Sequence, residues 1–220
     1  MINKVIEISP SILSADFKFL DKDIKDIINA GVKYLHFDVM DGQFVKNISF
    51  GIPVLKSLKE GNYPLIFDVH LMIIDPEKYL EDFIKAGADI VTIHYEAVKE
   101  EDIIRLSEFV HKLGTKFGLS IKPKTEVSKI KPFLKYLDLV LVMSVEPGFG
   151  GQSFIESSCE KISELKKLKE ENKYQYLIEV DGGINDKTSK KAKKAGAEIL
   201  VSGSYIFKST NRKEKIESLR

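Results

Sequence analysis

Ala30-Gly31-Val32-Lys33-Tyr34-Leu35-His36-Phe37-Asp38-Val39-Met40-Asp41-Gly42 carries the unit on which the fold reading rests. An Ala-Gly pair closes one helix, because Gly accepts the left-handed conformation that ends a helix. A β-branched and aromatic run follows at once and reads as a strand. The run ends in imidazole and carboxylate side chains, and Asp41-Gly42 marks the exit into a loop. Within His36-x-Asp38 the spacing of two puts both side chains on one face of that strand. Asp68-Val69-His70-Leu71-Met72 and Glu179-Val180-Asp181-Gly182-Gly183 are built alike. His36, Asp38, His70 and Asp181 therefore sit at the ends of three strands.

The same unit recurs along the chain. Short apolar runs at Val5–Ser9, Lys33–Val39, Leu65–His70, Ile90–His94, Lys116–Ile121, Leu139–Met143, Tyr176–Val180 and Ile199–Ser202 alternate with longer amphipathic stretches. Apolar residues return at helical spacing in Phe19-Leu20-x₃-Ile24-x₂-Ile27-Ile28 and in Ile162-x₂-Leu165-x₂-Leu168. Asp75-Pro76-Glu77 reads as a cap with Pro in the first helical turn. Ala86-Gly87 and Ala195-Gly196 repeat the Ala-Gly ending. Eight strand–helix units support a closed (β/α)₈ barrel or an open doubly wound sheet. No G-x-G-x-x-G follows the first strand, which weakens the dinucleotide-binding version of the open sheet. Polar candidates instead follow seven of the eight strands, and a ring of such ends suits a barrel whose site is built from all its C-terminal loops. We read an α/β chain of parallel strands, one (β/α)₈ TIM barrel over residues 1–220, with the site at the C-terminal face.

Composition bounds the function. The 220 residues include 34 Lys+Arg and 33 Asp+Glu, a net charge of +1, so nothing calls for nucleic acid or an anionic membrane. No apolar run reaches the roughly 18 residues that span a bilayer. The first residues lack signal-peptide anatomy, and the single Cys159, in a predicted helix, fits inert packing in a reducing compartment. The expected address is the cytoplasm.

Two imidazoles and two carboxylates converging on one mouth can hold a borderline divalent ion. Either His36 or His70 alone reads more readily as a hydrogen-bonded core residue; together with Asp38 and Asp181 the ligand reading prevails. His94 is expected as a second layer or pocket wall, and His111, on a charged helix, as solvated. Glu146-Pro147-Gly148-Phe149-Gly150-Gly151-Gln152-Ser153 follows the sixth strand with three Gly in four residues, so backbone N–H groups can turn toward an anion. Gly182-Gly183 follows the seventh strand and Gly203-Ser204 the eighth, the recurrent phosphate grip of this barrel. Met40, Met72 and Met143 read either as gap-filling core or as a soft lining around a planar intermediate. A cation that polarises a sugar ketone acidifies the neighbouring C–H, and two carboxylates on opposite faces could then epimerise that carbon. Raising an Asp from about 3.9 to near 7 for such work takes roughly 4 kcal/mol of differential environment.

Jointly with Ser9-Pro10-Ser11-Ile12-Leu13-Ser14-Ala15-Asp16 and Val142-Met143-Ser144-Val145-Glu146-Pro147-Gly148-Phe149-Gly150-Gly151-Gln152, these motifs resemble the ribulose-phosphate 3-epimerase family, from near Ile8 to Phe207 and in the family's order. The resemblance implies a (β/α)₈ barrel interconverting D-ribulose 5-phosphate and D-xylulose 5-phosphate in the pentose phosphate pathway. It implies His36, Asp38, His70 and Asp181 as ligands of one divalent metal, commonly Zn2+, with Fe2+, Mn2+ or Co2+ as alternatives. Asp38 and Asp181 would double as the acid/base pair. Ser11, His70 and Asp181 would contact substrate, and Gly148, Phe149, Gly150, Gly151, Gly182, Gly183, Gly203 and Ser204 would hold its phosphate end. Met40, Met72 and Met143 match the family's methionine lining, and a homo-oligomer, dimer or hexamer, is implied.

Four positions depart from the family's common pattern: Gln43 and Lys46 after the second strand, Lys122 after the fifth and Glu146 after the sixth. The last two have opposite charge, and we expect them to pair at the barrel mouth. The nearest rival reading is a 3-epimerase of another phosphoketose such as D-allulose 6-phosphate. A non-catalytic phosphosugar-binding barrel is more distant.

Overall fold

The computed structural model describes residues 6–220. Eight parallel strands run in chain order: β1 (Glu7–Pro10), β2 (Tyr34–Met40), β3 (Ile66–Met72), β4 (Ile90–His94), β5 (Lys116–Ile121), β6 (Leu139–Met143), β7 (Leu177–Asp181) and β8 (Ile199–Ser202). From β2 to β8 each pairs with its chain neighbours, and β1 pairs with β8. Between β1 and β2 the ring is joined by a single parallel bridge, Ser11 to His36, so the barrel is nearly closed. The strands fall within two residues of those read from sequence; Val5, assigned there to the first, lies outside the described residues.

Outside the ring lie α1 (Leu20–Asn29), α2 (Ile52–Glu60), α3 (Leu80–Lys85), α4 (Ile103–Lys112), α5 (Val127–Ile130), α6 (Ser158–Asn172), α7 (Thr188–Ala195), α8 (Ser204–Phe207) and α9 (Arg212–Leu219). Each buries an apolar stripe against outward strand residues: Ile24 and Ile27 of α1, and Ile162, Leu165 and Leu168 of α6, meet the layer containing Leu35, Phe37, Phe67 and Val69. Gly31, Gly87 and Gly196 all take positive φ where a helix gives way to the next strand, as the Ala-Gly pairs predict. The Asp75 cap behaves differently. Asp75 is itself left-handed, Pro76–Lys78 forms a short 3₁₀ turn, and α3 begins only at Leu80. The C-terminal α9 is tied to α1 through Arg212, which pairs with Asp23 at 2.7 Å and Asp26 at 2.9 Å.

The barrel interior changes chemistry along its axis. At its base Tyr34, Ile90, Leu139, Leu141 and Ile199 form an apolar plug distinct from the outer layer. Above it the register lines up His36 with Asp68, Asp38 with His70 and Met40 with Met72 across β2 and β3. On the far wall Asp181 pairs with Met143 and Val201. Each strand contributes alternate residues to this interior, so the polar ends read from sequence all reach one mouth.

Candidate active site

His36, Asp38, His70 and Asp181 converge: one donor atom from each lies within 4.8 Å of all the others. The supporting contacts fix their orientation. His36 Nδ1 meets Asp68 Oδ2 at 2.6 Å, which leaves Nε2 as a buried ring nitrogen with no hydrogen-bond partner. That nitrogen faces Asp38 Oδ1 at 3.3 Å. His70 Nδ1 approaches the same oxygen at 3.1 Å. The other Asp38 oxygen accepts the Ser11 hydroxyl at 2.6 Å. An orphaned imidazole nitrogen, a second imidazole and two carboxylates in so small a volume suit a divalent cation such as zinc.

The electrostatics separate the two carboxylates. Burial pushes Asp38 up, but the charges and hydrogen bonds of His36 and His70 outweigh it and hold its carboxyl far below the usual range. Burial also pushes His36 down, and there Asp38 and Asp68 prevail, so its ring is held well above the ordinary value. Asp181 goes the other way. Burial, then the charge of Asp38, push its carboxyl up to about 7 against the pull of His36. Without a cation the site thus has one firmly ionised carboxylate and one poised near neutrality, the pattern from which acid and base roles are drawn. Beneath it Glu179, both oxygens unpartnered by hydrogen bonds, is pushed well above the ordinary range by burial and by Asp68.

Above this cluster opens a cavity of about 280 Å³. Asp38, Asp181, Ser11, Met40, Met72 and Met143 form its inner end. Pro147–Gln152, Gly182, Gly183, Gly203 and Ser204 form its outer end, together with Ser14, Asn185 and Lys208. Gly183 could be no other residue without cost: φ is +64° and an added Cβ would lie 2.6 Å from the Phe154 amide nitrogen. Asn47 donates to the Gly148 carbonyl at 2.9 Å, stitching the loop after β2 to the Gly-rich loop after β6. The profile of the ribulose-phosphate 3 epimerase family matches residues 7–207, which include every one of these strand ends. The chain belongs to this family.

Members with curated names are close in sequence. "Ribulose-phosphate 3-epimerase" of Treponema pallidum is 45% identical over 205 residues, covering 93% of each chain. That of Bacillus subtilis is 43% identical over 217 residues, covering 98% of this chain and 99% of its own. The chloroplastic "Ribulose-5-phosphate-3-epimerase" of Arabidopsis thaliana is 46% identical over 215 residues, covering 98% of this chain and 76% of its own. Enzymes so named are isomerases. Among solved structures, 3-keto-L-gulonate-6-phosphate decarboxylase from Vibrio cholerae superposes with a TM-score of 0.74 at 12% identity, covering 99% of this chain and 96% of its own. The 3-hexulose-6-phosphate synthase of Salmonella typhimurium gives 0.72 at 15% identity, covering 97% and 96%. These two share the barrel alone.

Several expected placements change. His70, in register with Asp38, is fully buried and is not among the residues that line the cavity. Lys122 and Glu146 form no ion pair among the described residues: the Lys122 ammonium sits 3.9 Å from the centroid of the Phe44 ring instead. The ring draws it toward the loop after β2, and the Glu146 carbonyl is held by Gln152 within its own loop. His111 is exposed, as expected, and its Nε2 meets Asp138 Oδ2 at 2.6 Å on the surface. Cys159 falls in α6, and burial pushes its thiol up, as inert packing requires. No helix among the described residues is long and apolar enough to cross a membrane.

Sequence reading missed Asp68, Glu179, Glu96 and Lys208. The first two carried a readable signal. Asp68-x-His70 and Glu179-x-Asp181 repeat the spacing of His36-x-Asp38, so each strand places a charged pair on its inner face. Lys208 follows the single turn of α8, which returns it to the cavity rim, and nothing in its neighbours announced that.

Proposed function

We propose that this protein is a metal-dependent 3-epimerase that interconverts D-ribulose 5-phosphate and D-xylulose 5-phosphate, acting as one (β/α)₈ domain over residues 1–220. One observation carries the reading: two imidazoles and two carboxylates, drawn from β2, β3 and β7, meet within 4.8 Å at the floor of the cavity. His36 through Nε2, His70 through Nδ1, Asp38 and Asp181 would hold the cation, with zinc the best match to the donor set. When bound, such an ion supplies Lewis-acid polarisation of the ketone beside the reacting carbon.

The chain's own groups then move the proton. One Asp takes the C3 proton from one face of the sugar, and the electron pair left behind forms the enediolate. The other Asp returns a proton to the opposite face, which inverts C3 and leaves the overall atom count unchanged. In the cation-free chain Asp38 is held ionised while burial and Asp38 push Asp181 up, so their surroundings already set the two carboxyls apart for different roles. Ser11, donating to Asp38, keeps that carboxylate aimed at the cavity. Met40, Met72 and Met143 give the planar intermediate a polarisable wall that excludes water. The outer end, with Gly148, Phe149, Gly150, Gly151, Gly182, Gly183, Gly203 and Ser204, would hold the phosphate through backbone N–H groups, and the short α8 opens there. We further place the enzyme in the cytoplasm as a homo-oligomer.

The test is solvent exchange at C3. Ribulose 5-phosphate incubated in deuterated water with the enzyme should take up deuterium at C3, and a chelator should stop it. Asp181→Asn should still bind the sugar phosphate and give no turnover. Normal turnover by that variant, or exchange that ignores the chelator, would refute the assignment; faster turnover of allulose 6-phosphate would move the substrate to the six-carbon ketose.

A further inference from the structure

His94 and Glu96 do not line the cavity, yet His94 is fully buried, Glu96 is half-buried, and both are fully engaged. His94 Nε2 lies 2.8 Å from His70 Nε2, and its Nδ1 lies 3.1 Å from Glu96 Oε2. The remaining oxygen of Glu96 accepts the Lys122 backbone N–H at 2.8 Å and the Thr125 hydroxyl. Lys161 clamps that turn by donating to the carbonyls of Pro123 at 2.7 Å and Thr125 at 2.6 Å. A row of four groups thus leads from the loop after β5 to a ring that faces the cation site.

Two ring nitrogens in hydrogen-bond contact hold one proton between them. A neutral His70 that offers its Nδ1 lone pair to a cation must carry its proton on Nε2. That proton is donated to His94 Nε2, so His94 carries its own proton on Nδ1 and donates it to Glu96. Each link forces the next. The opposite arrangement, with His70 Nδ1–H donating to Asp38, would turn a bare His94 nitrogen toward a carboxylate. Burial pushes Glu96 up, but His94, Thr125 and the Lys122 N–H outweigh it and hold the carboxyl down at about 2, so it stays an acceptor.

We infer that His94 and Glu96 are positioning residues, which lock His70 in the tautomer whose Nδ1 faces the cation and so prepare the site before the ion arrives. The inference rests on the metal-site reading above and deepens it. Outer-layer carboxylates that orient a ligand imidazole in this way are worth about 10–100-fold in metal affinity.

Glu96→Gln provides an unusually sharp test because its geometry admits only one sense. The Lys122 N–H requires an acceptor, so the amide oxygen takes the place of Oε1 and the NH₂ takes that of Oε2. The NH₂ then donates to His94 Nδ1, His94 carries its proton on Nε2, and His70 is left with a proton on the nitrogen meant for the cation. The measurements are zinc affinity, by competition with a chromophoric chelator, and two-bond proton–nitrogen spectra of the histidine rings with and without zinc. In the unaltered protein His94 should show its proton on Nδ1 in both states. In Glu96→Gln it should move to Nε2 in the zinc-free protein, with zinc affinity down about 10–100-fold. Thr125→Val, which removes one bond to Glu96 but leaves the carboxylate, should keep His94 on Nδ1 and retain zinc affinity. His94 protonated on Nε2 in the unaltered protein would overturn the inference even if Glu96→Gln failed to fold. So would an equal loss of zinc in Thr125→Val and Glu96→Gln, which would mark simple loosening. If the unaltered protein bound no zinc, the metal-site reading would fail first and this inference with it.

Discussion

Replacing Asp181 by Asn should stabilise the cation-free protein at high pH while removing its activity. In the folded chain the Asp181 carboxyl is pushed from an ordinary 3.8 up to about 7, by burial and by Asp38. Between about pH 4 and 7 the folded state therefore keeps a proton that the unfolded chain has released, and stability falls as pH rises through that window. A gap of that size corresponds to about 4 kcal/mol. Asp181 still meets the water of the cavity, so screening reduces the effect; we expect about 2 kcal/mol. Asn carries no charge to penalise. Urea unfolding in the presence of a chelator should find Asp181→Asn more stable than the unaltered protein at pH 8 and nearly equal to it at pH 4. Saturating zinc should reverse the order at pH 8, because the variant lacks one ligand and gains less from binding. Parallel stabilities of the two proteins at both pH values would refute the electrostatic account of this carboxyl.

Zinc binding should weaken as pH falls from 8 to 6, because the ion must displace the proton held on His36 by Asp38 and Asp68; calorimetry in buffers of different ionisation enthalpy should register that proton's release. Gly183→Ala should raise KM for the phosphoketose and cost about 2 kcal/mol, since the left-handed backbone and the nearby Phe154 amide leave no room for a Cβ. Arg212→Ala should cost about 3 kcal/mol in urea unfolding, because it leaves the buried Asp23 carboxylate without its ion partner. Lys122→Ala should change stability by about 1 kcal/mol or less, the scale of one half-buried cation–π contact with Phe44.

The barrel and the core of its site were legible because both are written in strand periodicity. His36, Asp38, His70 and Asp181 each stand at the end of a β-branched run, and a parallel barrel brings all such ends to one face. What resisted reading depends on contacts between loops. The partner of Lys122 was chosen by charge, but a ring 3.9 Å away decided its position, and Phe44 gives no sign in sequence of overhanging the loop after β5. Asp138 pins His111 from just before β6, 27 residues along the chain. His70 stands level with Asp38 on the neighbouring strand yet is fully buried, because strand alternation gives a residue's side of the sheet and not its exposure. The helix cap at Asp75-Pro76 was displaced by an intervening 3₁₀ turn, a shift that local propensity does not resolve.

The single bridge between Ser11 and His36 makes the joint between β1 and β2 the least secured place in the ring. Amide exchange by local opening would start there. Any ion gripped jointly by β2, β3 and β7 reaches around that joint, past β8 and β1, and ties one margin of the sheet to a strand two places inside the other. Chemistry and closure would then share one fastening: loss of the ion would not only silence the enzyme but also let the cylinder unzip along its seam.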